Sequence, residues 1–203
     1  MITFYDTQEQ ARAAAKAKGL REKVLCFVVR GQRLLVFDHI PDGSAGVQIV
    51  GGGVEQDELP EAAAVRELWE ESGLSLSGPH FLCSYLWHGE PPEAFKYPVQ
   101  IAHAYAFAAP HDLPDTWQHH ADGHLFSFRW ADLHAPGLDW EMGRRCRFCF
   151  GSFTPQSALL TALLRSFASP LRRSQIASLL GEVPRRGGGV NPLKPKPQRR
   201  QTK

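Results

Sequence analysis

Three glutamates, Glu67, Glu70 and Glu71, stand at i, i+3 and i+4. On an α-helix this spacing gathers three carboxylates into one arc of about 100°. Like charges so placed repel each other by a few tenths of a kcal/mol per pair, roughly 0.2–0.5 kcal/mol on an isolated helix, so the pattern calls for a compensating cation. A hard divalent ion such as Mg²⁺ or Mn²⁺ suits it, because such ions take oxygen ligands, and Mg²⁺ is commonly completed by water and substrate phosphates. Arg66 lies beside the arc and can reach Glu70 one turn on or fold toward Glu58, orienting carboxylates without occupying the place of the ion. Upstream, Gly51, Gly52 and Gly53 make a turn where backbone can approach a ligand closely. Glycines are common in turns, so these three are weak evidence by themselves.

The elements that must position these groups can be read on either side. Pro60 suits a first helical position and Gly73 a stop, which predicts a helix of about thirteen residues. Its periodicity predicts Ala62, Val65, Leu68 and Trp69 on the core face, with Ala63 and Ala64 on the acidic side, leaving the carboxylates open. Before it, Val24–Arg30 and Arg33–His39 predict a central hairpin around Gly31-Gln32, and Val47–Val50 a third strand. After it, Phe81–Trp87, Val99–Phe107 and Leu125–Trp130 predict three more strands. The loops between them, His88–Lys96 and Pro110–Gly123, are long and polar enough to shape a pocket. Thr7 and Gln10 have capping-box spacing, so Gln8–Lys18 predicts a short, peripheral opening helix. Ser157–Ala168 predicts a closing helix and Arg172–Leu180 a shorter one.

The 203 residues, 43% of them hydrophobic, are enough for one substantial core. The division expected is an N-terminal helical segment at 1–20, a catalytic domain at 21–183 and a disordered basic tail at 184–203. That tail holds seven Lys or Arg and no acid, whereas 16 basic and 21 acidic side chains precede it. The folded part is therefore mildly acidic and does not itself suggest a nucleic-acid surface. Four scattered cysteines, Cys26, Cys83, Cys146 and Cys149, make no disulfide framework. The opening MITFYDTQEQ lacks a basic stretch with an apolar run, and no segment reaches the roughly 18 apolar residues of a membrane span. The expectation is a cytoplasmic protein with no membrane partner.

Gly52, Glu58, Arg66, Glu67, Leu68, Glu70, Glu71, Gly73 and Leu74 match G-x5-E-x7-R-E-U-x-E-E-x-G-U at every specified position, and so the chain resembles the Nudix hydrolases. A chance match of this completeness is on the order of one in a million. The resemblance implies an α/β/α sandwich around a mixed β-sheet, and a hydrolase that cleaves a diphosphate linkage with Mg²⁺ or Mn²⁺. It implies Glu67, Glu70 and Glu71 as metal ligands, Gly52 as a carbonyl donor with Gly53 beside the ligand, and Glu58 and Arg66 as a supporting ion pair. The general base comes from the box, at Glu70 or Glu67, or from a loop acid: Asp122 first, then Glu141, Glu90 and Glu93. The substrate implied is a small nucleotide-like molecule, and a homodimer is compatible with the resemblance.

Other features have plainer readings. His119, His120, Asp122 and His124 could bind a transition metal, but read more simply as a polar loop. Cys146 and Cys149 form C-x-x-C without the second pair that structural zinc usually needs. Trp87, Phe95, Tyr97 and Trp117 could stack on a base, yet packing explains each. The basic tail could track an RNA backbone, but its composition fits a solvated segment. Two rivals to a small-molecule hydrolase follow: a nucleotide-binding regulator without turnover, whose usual mark is a damaged box, and an RNA-end pyrophosphohydrolase that uses the tail. Specificity is expected from Ser84–Tyr97 and Pro110–His124.

Overall fold

A computed structural model describes residues 2–41, 43–88 and 98–138. The elements run β1 (Ile2–Tyr5), α1 (Gln8–Lys18), β2 (Arg21–Arg30), β3 (Arg33–Ile40), α2 (Pro60–Ser72), β4 (His80–His88), β5 (Val99–Ala108), β6 (Thr116–Ala121) and β7 (His124–Asp132). Among the described residues they build a seven-stranded sheet in the order β1-β4-β5-β2-β3-β7-β6. Only β2 and β5 pair in parallel, from Arg21↔Gln100 to Val29↔Ala108, so the sheet is mixed, as the α/β expectation required. The sandwich's expected closing helix, Ser157–Ala168, lies outside the described residues, as do Arg172–Leu180, the tail, Cys146 and Cys149.

Both helices pack on one face. Alternate side chains of β5 point the same way. Ile101 meets Ala11 and Ala15 of α1, while Tyr105 and Phe107 cluster with Ala63, Ala64 and Leu68 of α2. The opposite face gathers Leu25, Phe27, Val36, Tyr85, Ala102 and Ala104 in a second cluster. The helix boundaries follow local chemistry. Thr7 accepts the Gln10 N–H and Gly19 closes α1 in the left-handed region, while Pro60 opens α2 and Gly73, with φ 73°, ends it.

The hairpin at Gly31-Gln32 forms, but β2 and β3 pair only at Val29↔Leu34 and Arg30↔Arg33. Beyond that they splay, and residues 48–54 enter the gap. Gln48 exchanges two 2.9 Å hydrogen bonds with Phe37 of β3, after which Cys26 N–H and Val24 N–H of β2 donate to the carbonyls of Val50 and Gly52. Val47–Val50 is therefore no strand: its partners change from β3 to β2 within three residues, so no ladder develops. Two short edge strands were not expected. β1 pairs with β4, and β6 pairs with β7 within the segment read as the Pro110–Gly123 loop.

The core face of α2 also differs from expectation. Ala63, Ala64, Glu67, Leu68 and Ser72 are buried, whereas Ala62 is exposed and Trp69 is 60% exposed. Small alanines let the helix lie close to the sheet, and the same stripe carries Glu67 inward beside Leu68.

Candidate active site

Helix α2 and the segment 51–53 bring the sequence-designated residues together. A Cβ on Gly52 would stand 2.1 Å from the Glu67 carboxyl group, so only glycine lets backbone and carboxylate come so near. Gly51 N–H donates to Glu71 Oε2 at 3.1 Å. The carbonyls of Gly52 and Gly53 already accept hydrogen bonds, from Val24 N–H and from the Arg66 guanidinium, which leaves each one further lone pair.

Arg66 uses all five of its donors. Its Nε and one terminal nitrogen fork onto the two oxygens of Glu58 at 2.9 Å each. That second nitrogen also reaches Gly53 O at 2.8 Å, and the other donates to Glu67 Oε1 and Glu70 Oε2 at 2.9 Å each. The fork holds Glu58 below the usual carboxylate range and raises Arg66 further above its own. Both alternatives open to Arg66 in the sequence are thus used at once: it pairs with Glu58 and Glu70 together.

The electrostatics of the inner carboxylates run the other way. Burial pushes Glu71 up to about 7 against the lowering effect of Gly51 N–H, and the charges of Glu67 and Asp122 add to the rise. Glu67 is raised mainly by burial, with Arg66 opposing and the charges of Glu70 and Asp122 adding to it. Asp122, placed at φ 52° in the β6–β7 turn, is therefore within electrostatic reach of the box. Glu90, Glu93 and Glu141 lie outside the described residues. Glu70 is exposed.

Among the described residues, no three His, Cys, Asp or Glu side chains converge as a ready-made metal group. Arg66 holds Glu67 and Glu70, while Gly51 holds Glu71. The donor set nonetheless fits a hard divalent cation: three carboxylates, all oxygen, two of them raised by burial and mutual charge that such an ion would offset. Among the described residues, the other signals of the chain do not gather into a second site. His119 and His120 alternate along β6, with His124 beginning β7. Trp87 is buried, and Ser84 is buried on β4 rather than in a specificity loop. Phe95 and Tyr97 lie outside the described residues.

Sequence reasoning passed over Arg12 and, although it weighed Trp117 for base stacking and His119 for a metal, missed the contact both make with α2. Arg12 of α1 donates to Glu58 O at 2.9 Å, so the opening helix braces the entry to α2. Trp117 and His119 of β6 donate to carbonyls in its last turn. Signals for β6 were present in Asp122-Gly123, both with positive φ, which is a strong hairpin dipeptide.

Comparison with known proteins agrees with this architecture. Phosphatase NudJ of Escherichia coli (strain K12) is 38% identical over 64 residues, 32% of this chain and 42% of that protein. The chain thus matches about two fifths of the length of that curated relative. The NUDIX hydrolase from Nitrosomonas europaea superimposes with a TM-score of 0.51 at 18% identity, over 66% of this chain and 89% of that one. The MutT protein from Methanosarcina mazei Go1 gives 0.50 at 14%, over 66% and 96%. These two likenesses speak for the fold. No helix among the described residues is long and apolar enough to cross a membrane. The NUDIX domain profile matches residues 19–145, more than half of the chain, and with every position of the box in place this chain belongs to the Nudix family.

Proposed function

We propose that the chain hydrolyses a diphosphate linkage in a nucleoside triphosphate or a nucleoside diphosphate joined to another group, with Mg²⁺ or Mn²⁺. The observation that carries this reading is the pair of inward carboxylates, Glu67 set against Gly52 and held by the fully bonded Arg66, and Glu71 held by Gly51 N–H. Glu67, Glu70 and Glu71 would hold the ion. When bound, it polarises the phosphate oxygens and makes water a better nucleophile. Water adds to one phosphorus, the bridging P–O bond breaks, and the bridging oxygen leaves with the other phosphate. The proton lost by the water passes to a carboxylate, from Glu67 or Glu70 in the box or from Asp122 at its rim. Glu58 and Arg66 orient the box carboxylates.

Release of phosphate esters from nucleoside triphosphates, dinucleoside polyphosphates, nucleotide sugars, NADH, coenzyme A and capped RNA tests it, with Mg²⁺, Mn²⁺ or chelator. Metal-dependent cleavage of one class is expected. Saturable binding of one compound with no cleavage of any would reject it in favour of a regulator.

A further inference from the structure

We propose that β6 clamps the box helix, with Trp117 and His119 as positioning residues that set where Glu70 and Glu71 stand. This rests on the metal-dependent reading above. The last four carbonyls of a helix lack partners within it. In α2, Trp69 O is taken by Gly73 N–H at 2.8 Å, Ser72 O by the indole N–H of Trp117 at 2.9 Å, and Glu70 O by Nε2 of His119 at 3.0 Å. A carbonyl only accepts, so His119 carries its hydrogen on Nε2. The turn that β6 grips is the one that bears two of the three metal-site glutamates.

The grip is built from the pleat of the strand. Trp117 and His119 are two residues apart and share a face, while Gln118 between them is exposed. The Trp117 ring lies flat on Phe128, with centroids 5.0 Å apart and planes 10° apart, and Phe128 is fully buried. His119 seats against Gly73, where a Cβ would come within 3.2 Å of the imidazole. One end of the clamp is thus fixed in the core and the other on helix backbone. The hydrogen bonds of both residues go to backbone carbonyls of α2, so they act on the carboxylates through it. A metal site tolerates displacement of only about 0.5 Å, so freeing Glu70 O and Ser72 O loosens the site before it unfolds the protein.

The test is Mn²⁺ binding to the full chain without nucleotide, read from the electron paramagnetic signal of free Mn²⁺, with the unfolding midpoint alongside. His119→Phe keeps a ring but loses the donor, and is expected to weaken Mn²⁺ binding about tenfold. His119→Gln, whose amide can donate from nearly the same place, is expected to return affinity to within about twofold at a similar midpoint. Trp117→Phe keeps an aromatic ring on Phe128 while losing the N–H and part of the indole's packing, so it serves, with its unfolding midpoint alongside, should His119→Phe fail to fold, with a weakening in the same direction. Wild-type Mn²⁺ affinity in both Phe variants, or a Gln variant as weak as His119→Phe, overturns the clamp alone. A wild-type chain that binds no Mn²⁺ overturns the metal-dependent reading and the clamp with it.

Discussion

Glu71 shows how a position that is costly for the fold can be one that the proposed metal site requires. Its carboxyl is pushed up to about 7 by burial against the opposing Gly51 N–H and the charge of Lys23, whereas Glu67 and Glu70 pair directly with Arg66. Glu71→Gln preserves shape and the acceptor for Gly51 N–H but removes the charge. Turnover should fall by about 100-fold or more while far-ultraviolet circular dichroism stays unchanged. Wild-type rates in that variant would remove Glu71 from the site. Gly52→Ala makes the complementary point: its methyl would collide with the Glu67 carboxylate, so activity should drop at least about tenfold, a loss that kinetics with saturating Mn²⁺ would register. His103 is a third residue with a definite consequence. Fully buried, it accepts from Ser84 through Nδ1 at 2.7 Å and donates through Nε2 to Glu22 at 2.9 Å, with Arg12 also on Glu22. Burial holds its pKa below the usual 6.5 despite Glu22. The unfolded chain therefore takes up the proton first as pH falls. The stability from neutral His103 is complete above about 6.5 and is lost as pH drops toward the folded pKa. Glu71, raised to about 7, works in the opposite sense over the same range, so the His103 limb is read from the difference in urea midpoints between wild type and His103→Gln from about pH 7.5 to 5: the wild type should lose more on acidification than the variant.

At the scale of the element, α2 is held by a stripe that mixes alanine, leucine and glutamate. Leu68 lies within it, fully buried against the sheet, and Leu68→Ala should cost about 2–5 kcal/mol. Trp69, next in sequence and much larger, points outward, so Trp69→Ala should change stability by no more than about 0.5 kcal/mol. Urea denaturation of the two variants decides between this orientation and the one that hydrophobicity favours. A loss at Trp69 as large as that at Leu68 would mean that the helix is turned toward the face that hydrophobicity favours. The misreading has a physical cause. Periodicity ranks faces by greasiness, and by that measure Trp69 outweighs two alanines. The fold instead needs small residues where helix and sheet approach, and it can bury Glu67 because Arg66 meets its charge and Gly52 leaves room for its carboxylate. Helix ends were easier to read, because Thr7, Gly19, Pro60 and Gly73 act through local geometry alone. β6 was missed because its side chains alternate between exposed and half-buried, so it carries little apolar signal.

For the whole molecule, the box joins parts that are far apart in the chain: α1 through Arg12, β2 through Val24 and Cys26, β6 through Trp117 and His119. A cation bound there should stabilise all of it. Mn²⁺ at a hundredfold excess over its Kd should add about 2.7 kcal/mol, several degrees in Tm for a chain of this size. Chelator should reverse the shift and Glu71→Gln should largely abolish it. An unchanged Tm in the wild type would argue against a site in the folded protein.

Alone, the sequence determined the family, through nine specified residues within a 23-residue stretch, and with it the acids that could bind a metal. It also determined the hairpin, the ends of α1 and α2 and most of the central strands, because caps, turns and β-branched runs act over a few residues. Tertiary structure decided what depends on partners distant in sequence. It made residues 48–54 a bridge between β2 and β3, where two strands had parted to admit it. It turned Trp69 outward and Glu67 inward, because the face a helix buries is chosen by the surface it meets. It set Asp122 near the box and β6 on the end of α2, since a hairpin's docking is fixed by the packing of Phe128 and Trp117 and by carbonyls 45 to 49 residues away.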